Sequence, residues 1–209
     1  MAKRVLVCED HTLVVDGLKL LLQPHGFEWA GHAPTTVGLA ARIADTKADV
    51  LLLDLNIKGD DGLAVLADLR QTFPSLLILI LTMYRDEFFI ERARKEGANG
   101  FLEKDIGNDE LLRALGRDPQ QPFYLSSTLA REQQERQHYR DHFAGKMKLT
   151  KREMDVIPLL AHGKTTHEIA EQLFLSPLTV DTHRKNIFRK LNITNVVDLV
   201  NFAHENKLV

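Results

Sequence analysis

The 209 residues, 44% hydrophobic and 27% charged, suffice for one or two soluble domains with cores of their own. No apolar stretch approaches the roughly 18 residues of a membrane span, and a single cysteine, Cys8, excludes an internal disulfide and fits a reducing compartment. The formal net charge of -2 is unevenly spread: residues 146–209 carry 10 Lys+Arg against 7 Asp+Glu, the residues before them 17 against 22. An acidic front and a mildly basic back suggest two domains, the second suited to nucleic acid. Ala2-Lys3-Arg4 runs straight into an apolar run too short for a signal peptide, so a cytoplasmic location is expected.

Short apolar runs alternate with helical patterns in the front part. Val5-Leu6-Val7-Cys8 reads as a buried strand, and Leu13, Val14, Leu18, Leu21 and Leu22 follow a helical period. A weaker strand near 28–33 precedes a helix around Leu39, Ala40 and Ile43. The continuous run Val50–Leu53 suits a strand covered on both faces, followed by a helix with Leu63, Leu66 and Leu69 on one side. Residues 76–81 make a fourth strand, 88–94 a helix, Gly100-Phe101-Leu102 a fifth strand and 110–115 a last helix. Five strands alternating with helices predict a doubly wound parallel α/β sheet.

The alternation stops at Gly116-Arg117-Asp118-Pro119-Gln120-Gln121-Pro122, a breaker. A helix capped by Ser126 or Ser127 then runs through a segment polar nearly all round, expected to end at Gly145 and to act as a solvated connector. From Lys148 the pattern is purely helical. Thr150 and Glu153 have the spacing of a capping box. Ser176-Pro177 supplies a cap and a first-turn proline, and the tight Phe174-Leu175-Ser176 connection joins two helices as a helix-turn-helix. The expected division is 1–116, a connector 117–147, and a four-helix domain 148–209.

The polar residues at the strand ends carry the chemistry. Ligands of open parallel sheets bind at the carboxyl ends of the strands. Here those ends hold Glu9-Asp10, Asp54, Thr82 and, just beyond the fifth strand, Lys104. Glu9, Asp10 and Asp54 can hold a hard cation such as Mg²⁺, while Thr82 and Lys104 can meet a phosphoryl-like anion. Each residue taken singly reads more simply as a turn, cap or surface residue. Their arrival together at four strand ends points to one site. His138 and His142 stand four apart on a helix, but with no third ligand nearby they read as solvated. The nine histidines offer no nucleophile–base arrangement.

Glu9-Asp10-His11, DVLLLDLNIKGDDGL at 49–63, LTMYRDE at 81–87 and GFLEKD at 100–105 resemble the signature blocks of a response-regulator receiver domain, a flavodoxin-like fold. LTKREMDVIPLLAHGKTTHEIAEQLFLSPLTVDTHRKNIFRKL at 149–191 resembles the LuxR-type DNA-binding domain. The order matches the NarL/FixJ subfamily of two-component regulators. The resemblance implies that Asp54 accepts a phosphoryl group from a sensor histidine kinase. It implies further that Glu9, Asp10, Asp54 and the backbone carbonyl of Asn56 hold Mg²⁺, and that Thr82 and Lys104 contact the phosphoryl oxygens. Phe101 is the implied switch aromatic, turning inward as Thr82 moves, and Asn56 and Tyr84 tune self-dephosphorylation.

In the second domain the resemblance makes 177–191 the recognition helix. Asp181, Thr182 and Lys185 then face base edges, with Lys164, Thr179, Arg184 and Lys190 on phosphates. Val180, Ile187 and Leu191 are core. The last helix, with Val196, Val197, Val200 and His204, is the implied dimerisation element, for binding inverted or direct repeat half-sites in a promoter. RNA polymerase is a candidate further partner. Three features depart from the family. Lys58 replaces a usual proline, Asp181 stands at a usually basic position where it could accept from cytosine N4, and the helix before Gly116 is short. A phosphohydrolase reading needs a second aspartate two residues after the nucleophile, where Asn56 stands. A receiver acting only as a binding module would lack Asp54, Thr82 or Lys104, and all are present.

Overall fold

The computed structural model describes residues 2–57, 60–206 and 208. It divides into two compact units, one reaching to Arg131 and one starting at Glu132.

In the first unit, six strands among the described residues form one parallel sheet: β1 (Arg4–Cys8), β2 (Glu28–Ala33), β3 (Val50–Leu53), β6 (Leu77–Thr82), β7 (Gly100–Glu103) and β8 (Tyr124–Leu125). A separate antiparallel pair, β4 (Asn56–Ile57) and β5 (Asp60–Asp61), follows β3. The sheet order is β2-β1-β3-β6-β7-β8. Side chains alternate across it. Leu6, Cys8, Leu51, Leu53, Ile78, Ile80 and Phe101 enter one apolar cluster, and Val5, Val7, Val50, Leu52, Leu77, Leu79, Leu81 and Leu102 the other. Helices α2 (Leu39–Thr46), α3 (Leu66–Thr72) and α4 (Glu87–Lys95) add residues to the first cluster, and α1 (Thr12–Leu22) and α5 (Asn108–Leu115) to the second. Both faces are therefore covered, which is why VLLL and LILIL carry no polar alternation.

The sheet has one strand more than the five expected. Tyr124 and Leu125 pair with Gly100 and Phe101. A two-residue strand behind a proline-rich breaker leaves no periodicity to read. The pairing needs a glycine at its partner position, because a Cβ on Gly100 would lie 2.9 Å from the Tyr124 carbonyl oxygen.

Segment 117–147 is correspondingly less separate than a solvated connector. α6 (Ser127–Met147) buries Leu129 in the first unit's core and Phe143 in the second's. It also runs past Gly145. The helix closes instead at Lys148, left-handed at φ 55°, with Leu149 N–H donating to the Ala144 carbonyl at 2.8 Å.

The second unit packs α7 (Lys151–Ala161), α8 (Thr166–Leu173), α9 (Pro177–Leu191) and α10 (Val196–Glu205) around Met154, Val156, Ile157, Leu160, Ile169, Val180, Ile187 and Leu199. Reciprocal capping boxes begin α7 (Thr150 with Glu153) and α8 (Thr165 with Glu168). Ser176 caps α9, and Phe174 makes the α8–α9 turn in the left-handed region, φ 56°. Among the described residues no helix is long and apolar enough to cross a membrane. Lys58, which stands in place of the family's usual proline, lies outside the described residues.

Candidate functional site

The order of the sheet reverses direction at β1 and β3, and the crevice at the carboxyl ends of such neighbours is where ligands bind. Glu9 and Asp10 follow β1 and Asp54 follows β3, with the Asp54 N–H bound to the Cys8 carbonyl at 3.0 Å. Glu9 and Asp54 are each 2% exposed and Thr82 is fully buried. The Lys104 ammonium bridges the two carboxylates, 2.7 Å from Glu9 Oε2 and 2.8 Å from Asp54 Oδ2. Burial works against the Lys104 charge, but hydrogen bonds and charge attraction from Asp54 and Glu9 outweigh it and hold the ammonium above the ordinary lysine range.

Among the described residues, the second oxygen of Asp54, Oδ1, is buried and has no hydrogen-bond partner. A buried carboxylate oxygen left so is costly. Glu9, Asp10, His11 and Asp54 each offer a ligand atom, all within 4.8 Å of one another. The donor set, mostly carboxylate oxygen, and the orphaned Oδ1 fit a hard divalent cation such as Mg²⁺. His11 is the member that sequence reasoning left out of the ligand set. Its Nδ1 lies 2.8 Å from Glu9 Oε1 and 2.9 Å from Asp10 Oδ1. The only signal for it was its place after two acidic residues.

Two further supports were not legible beforehand. Gly62 lies against the Asp54 backbone, where a Cβ would come within 2.5 Å of the Asp54 carbonyl oxygen. Asp60 accepts from the Thr35 hydroxyl and from the Thr36 N–H at 2.9 Å, tying the segment after Asp54 to the segment after β2; these bonds hold its carboxyl below the usual aspartate range.

Of the other expected site residues, Asn56 is exposed at the start of β4, its partner Asp61 across the pair. Thr82 Oγ1 accepts from the Tyr84 N–H at 3.4 Å, and the Thr82 carbonyl accepts from the Lys104 N–H at 2.9 Å. Tyr84 is partly exposed and stacks on Phe89 at 4.5 Å. Phe101 is fully buried within the core. The ring thus lies inward in this structure.

In the helical unit, Val180 and Ile187 are fully buried and Leu191 is nearly so, as expected of core. Asp181, Thr182 and Lys185 face outward on α9. Arg184 Nη1 donates to Thr166 Oγ1 at 2.9 Å, and that hydroxyl donates to Asp181 Oδ1 at 3.1 Å, so α8 holds both charged groups. Thr179 joins the α9 cap through Ser176 Oγ at 2.8 Å, and Lys164 lies 3.6 Å from Glu168 on the surface. Lys190 is placed differently from the phosphate contact expected of it: its ammonium sits 2.6 Å from the buried Glu153 carboxylate, neutralising that group within the fold. On α10, Val196, Val197 and His204 are exposed and Val200 is half-buried.

Comparison with known proteins bears on both units. Residues 5–116 match the response regulator receiver domain, and residues 147–203 match the bacterial regulatory proteins of the luxR family. The oxygen regulatory protein NreC of Staphylococcus aureus is 31% identical over 217 residues, spanning 99% of either chain. RcsB of Salmonella typhimurium shares the fold at 24% identity, TM-score 0.59, over 98% of this chain and 99% of its own. A LuxR-family two-component response regulator from Aurantimonas sp. SI85-9A1 does so at 24% identity and TM-score 0.57, over 66% of this chain and 99% of its own. A receiver in first place and a luxR-type helix-turn-helix in second put the chain in one family: it is a two-component response regulator with a DNA-binding output domain.

Proposed function

We propose that Asp54 accepts a phosphoryl group from a sensor histidine kinase, and that its phosphorylation promotes dimerisation and sequence-specific binding of α9 to promoter DNA. The supporting observation is the Asp54 carboxylate itself, with one oxygen on the Lys104 ammonium and the other buried beside Glu9 and Asp10 without a partner among the described residues. Glu9, Asp10, Asp54 and the Asn56 carbonyl are the residues that would hold Mg²⁺, whose charge offsets the repulsion between an anionic nucleophile and an anionic donor. Asp54 supplies the attacking oxygen. Lys104, freed from Asp54 as that oxygen becomes esterified, pairs with a phosphoryl oxygen, and Thr82 donates its hydroxyl to another. Asn56 and Tyr84, at the rim, set the rate of self-dephosphorylation.

For the output, residues 148–209 bind DNA through α9, with Lys185 toward the bases and Lys164, Thr179 and Arg184 toward phosphates. Val196, Val197, Val200 and His204 on α10 form the dimer contact, which fits two half-sites about one helical turn apart. RcsB, a relative in fold, has been solved as dimers bound to DNA, which supports the same output here. The test is to incubate the protein with Mg²⁺ and a small phosphodonor and read intact mass and oligomer size. Wild type is expected to gain one phosphoryl group and to enlarge, and Asp54→Ala to do neither. An Asp54→Ala variant that gains the group equally removes Asp54 from its role.

A further inference from the structure

The outward face of α9 presents less hydrogen-bonding chemistry than its sequence suggests. Val180, Ile187 and Leu191 bury one side of the helix, leaving Leu178, Asp181, Thr182 and Lys185 on the other. Leu178 is the second residue of the helix, directly after Pro177, and is 77% exposed. Residues 178, 182 and 185 are spaced four and three apart and so form one stripe.

Thr182 does not offer its hydroxyl outward. Its Oγ1 donates to the Leu178 carbonyl at 2.9 Å, one helical turn back, which leaves the γ-methyl as the group available on that face. Asp181 Oδ1 accepts from Thr166, and Arg184 donates to the same hydroxyl. Beside the exposed Asp181 carboxylate, whose Oδ1 is held by Thr166, the N-terminal half of the outward stripe is thus an isobutyl group and a methyl group, with the Lys185 ammonium beyond them.

In the major groove of B-DNA one base-edge group is apolar, the C5-methyl of thymine. The first turns of a recognition helix are the part that meets base edges. We propose that Leu178 and the γ-methyl of Thr182 read thymine methyl groups, making this apolar pair a determinant of operator sequence. The inference rests on the reading that α9 enters the major groove, and it replaces a polar role for Thr182 with an apolar one.

The test uses the full-length protein treated with Mg²⁺ and a small phosphodonor. Preferred sites are selected from a library of random-sequence duplexes. Affinities are then measured for the selected duplex and for copies in which single thymines are replaced by deoxyuridine, which lacks only the methyl group. Wild type is expected to lose about fourfold at each contacted thymine, the effect of removing one buried methyl-sized group. Leu178→Ala, at a site too exposed to disturb folding, becomes indifferent to deoxyuridine at one position. Thr182→Ser, which keeps the hydroxyl and removes the methyl, becomes indifferent at another. Equal deoxyuridine penalties in wild type and variants, or none in wild type, overturn the proposal. Leu178→Ala that leaves DNA selection unchanged but alters transcription also overturns it, assigning the leucine to a protein partner. If wild type selects no sequence, the DNA-binding reading itself fails, and this inference with it.

Discussion

Lys104 shows how one side chain sets the charge balance of the strand ends. Its side chain is only 11% exposed, and its ammonium lies within hydrogen-bond distance of two carboxylates that are themselves almost wholly buried. Replacing it by methionine keeps the stem and removes the ammonium that Glu9 and Asp54 share. Lys104→Met is therefore expected to lose about 3 kcal/mol in urea unfolding, the scale for breaking a buried pair from one side. Millimolar Mg²⁺ should restore more stability to the variant than to wild type. Equal Mg²⁺ effects in the two would count against a cation beside Asp54. Glu153 is the matching case in the helical unit. Burial opposes its charge, but the Lys190 ammonium and the Thr150 N–H and hydroxyl hold its carboxyl below the ordinary 4.5. A group depressed in the folded state stabilises fully above its unfolded value, and that stability is lost as pH falls through the lower folded one. Glu153→Gln should thus be less stable than wild type by about 2 kcal/mol at pH 6, with the gap closing as pH falls below 4.5. A gap that stays constant down the acid limb would mean the carboxylate charge is not what stabilises α7.

The elements owe their boundaries to similar local pairings, and α7 carries an instructive irregularity. Pro158 sits inside the helix and cannot donate to the Met154 carbonyl four residues earlier. Arg140 of α6 donates to that carbonyl instead, Nη2 to O at 3.3 Å. A proline that reads as a helix breaker is tolerated because a side chain from another helix satisfies the group it orphans. A double-mutant cycle should expose this. Arg140→Ala alone is expected to cost about 1 kcal/mol, and much less in a Pro158→Ala background, where the backbone again supplies the donor. Additive effects would show that the arginine contributes through packing alone. The same logic explains β8, whose two residues hold their place on the sheet edge because Gly100 lets them approach.

Over the whole molecule, the acidic strand-end site falls in the unit ending at Arg131 and the outward face of α9 in the unit beginning at Glu132. The bland net charge of -2 conceals how differently the cations are used. Lys104 and Lys190 neutralise buried carboxylates, whereas Lys185 stands exposed on α9. Salt dependence of DNA affinity separates these uses, since each phosphate neutralised contributes to the slope. Lys185 faces base edges in the present proposal, and Lys185→Ala should weaken binding mainly to the selected site. Lys190→Met should destabilise the unit while leaving the salt slope unchanged. A slope that falls by about 1 in Lys190→Met would instead place that lysine on a phosphate.

The alternation of apolar runs and helical periods was enough to place most strands and helices. Both depend on local spacing, as do the capping box at Thr150 and the cap at Ser176. The order of Glu9-Asp10, Asp54, Thr82 and Lys104 along the chain likewise marked the strand-end site, because a parallel sheet must bring its carboxyl ends together. Tertiary structure alone decided how those groups are partnered. It joined His11 to the acidic cluster, buried Phe101, placed Lys190 on Glu153, tied Asp60 to Thr35 and Thr36, and turned the Thr182 hydroxyl back onto its own helix. Most of these pairings join residues far apart in the chain, and the others depend on where a rotamer points. Sequence spacing fixes which residues reach a face, and only packing fixes which of their atoms are left for a partner.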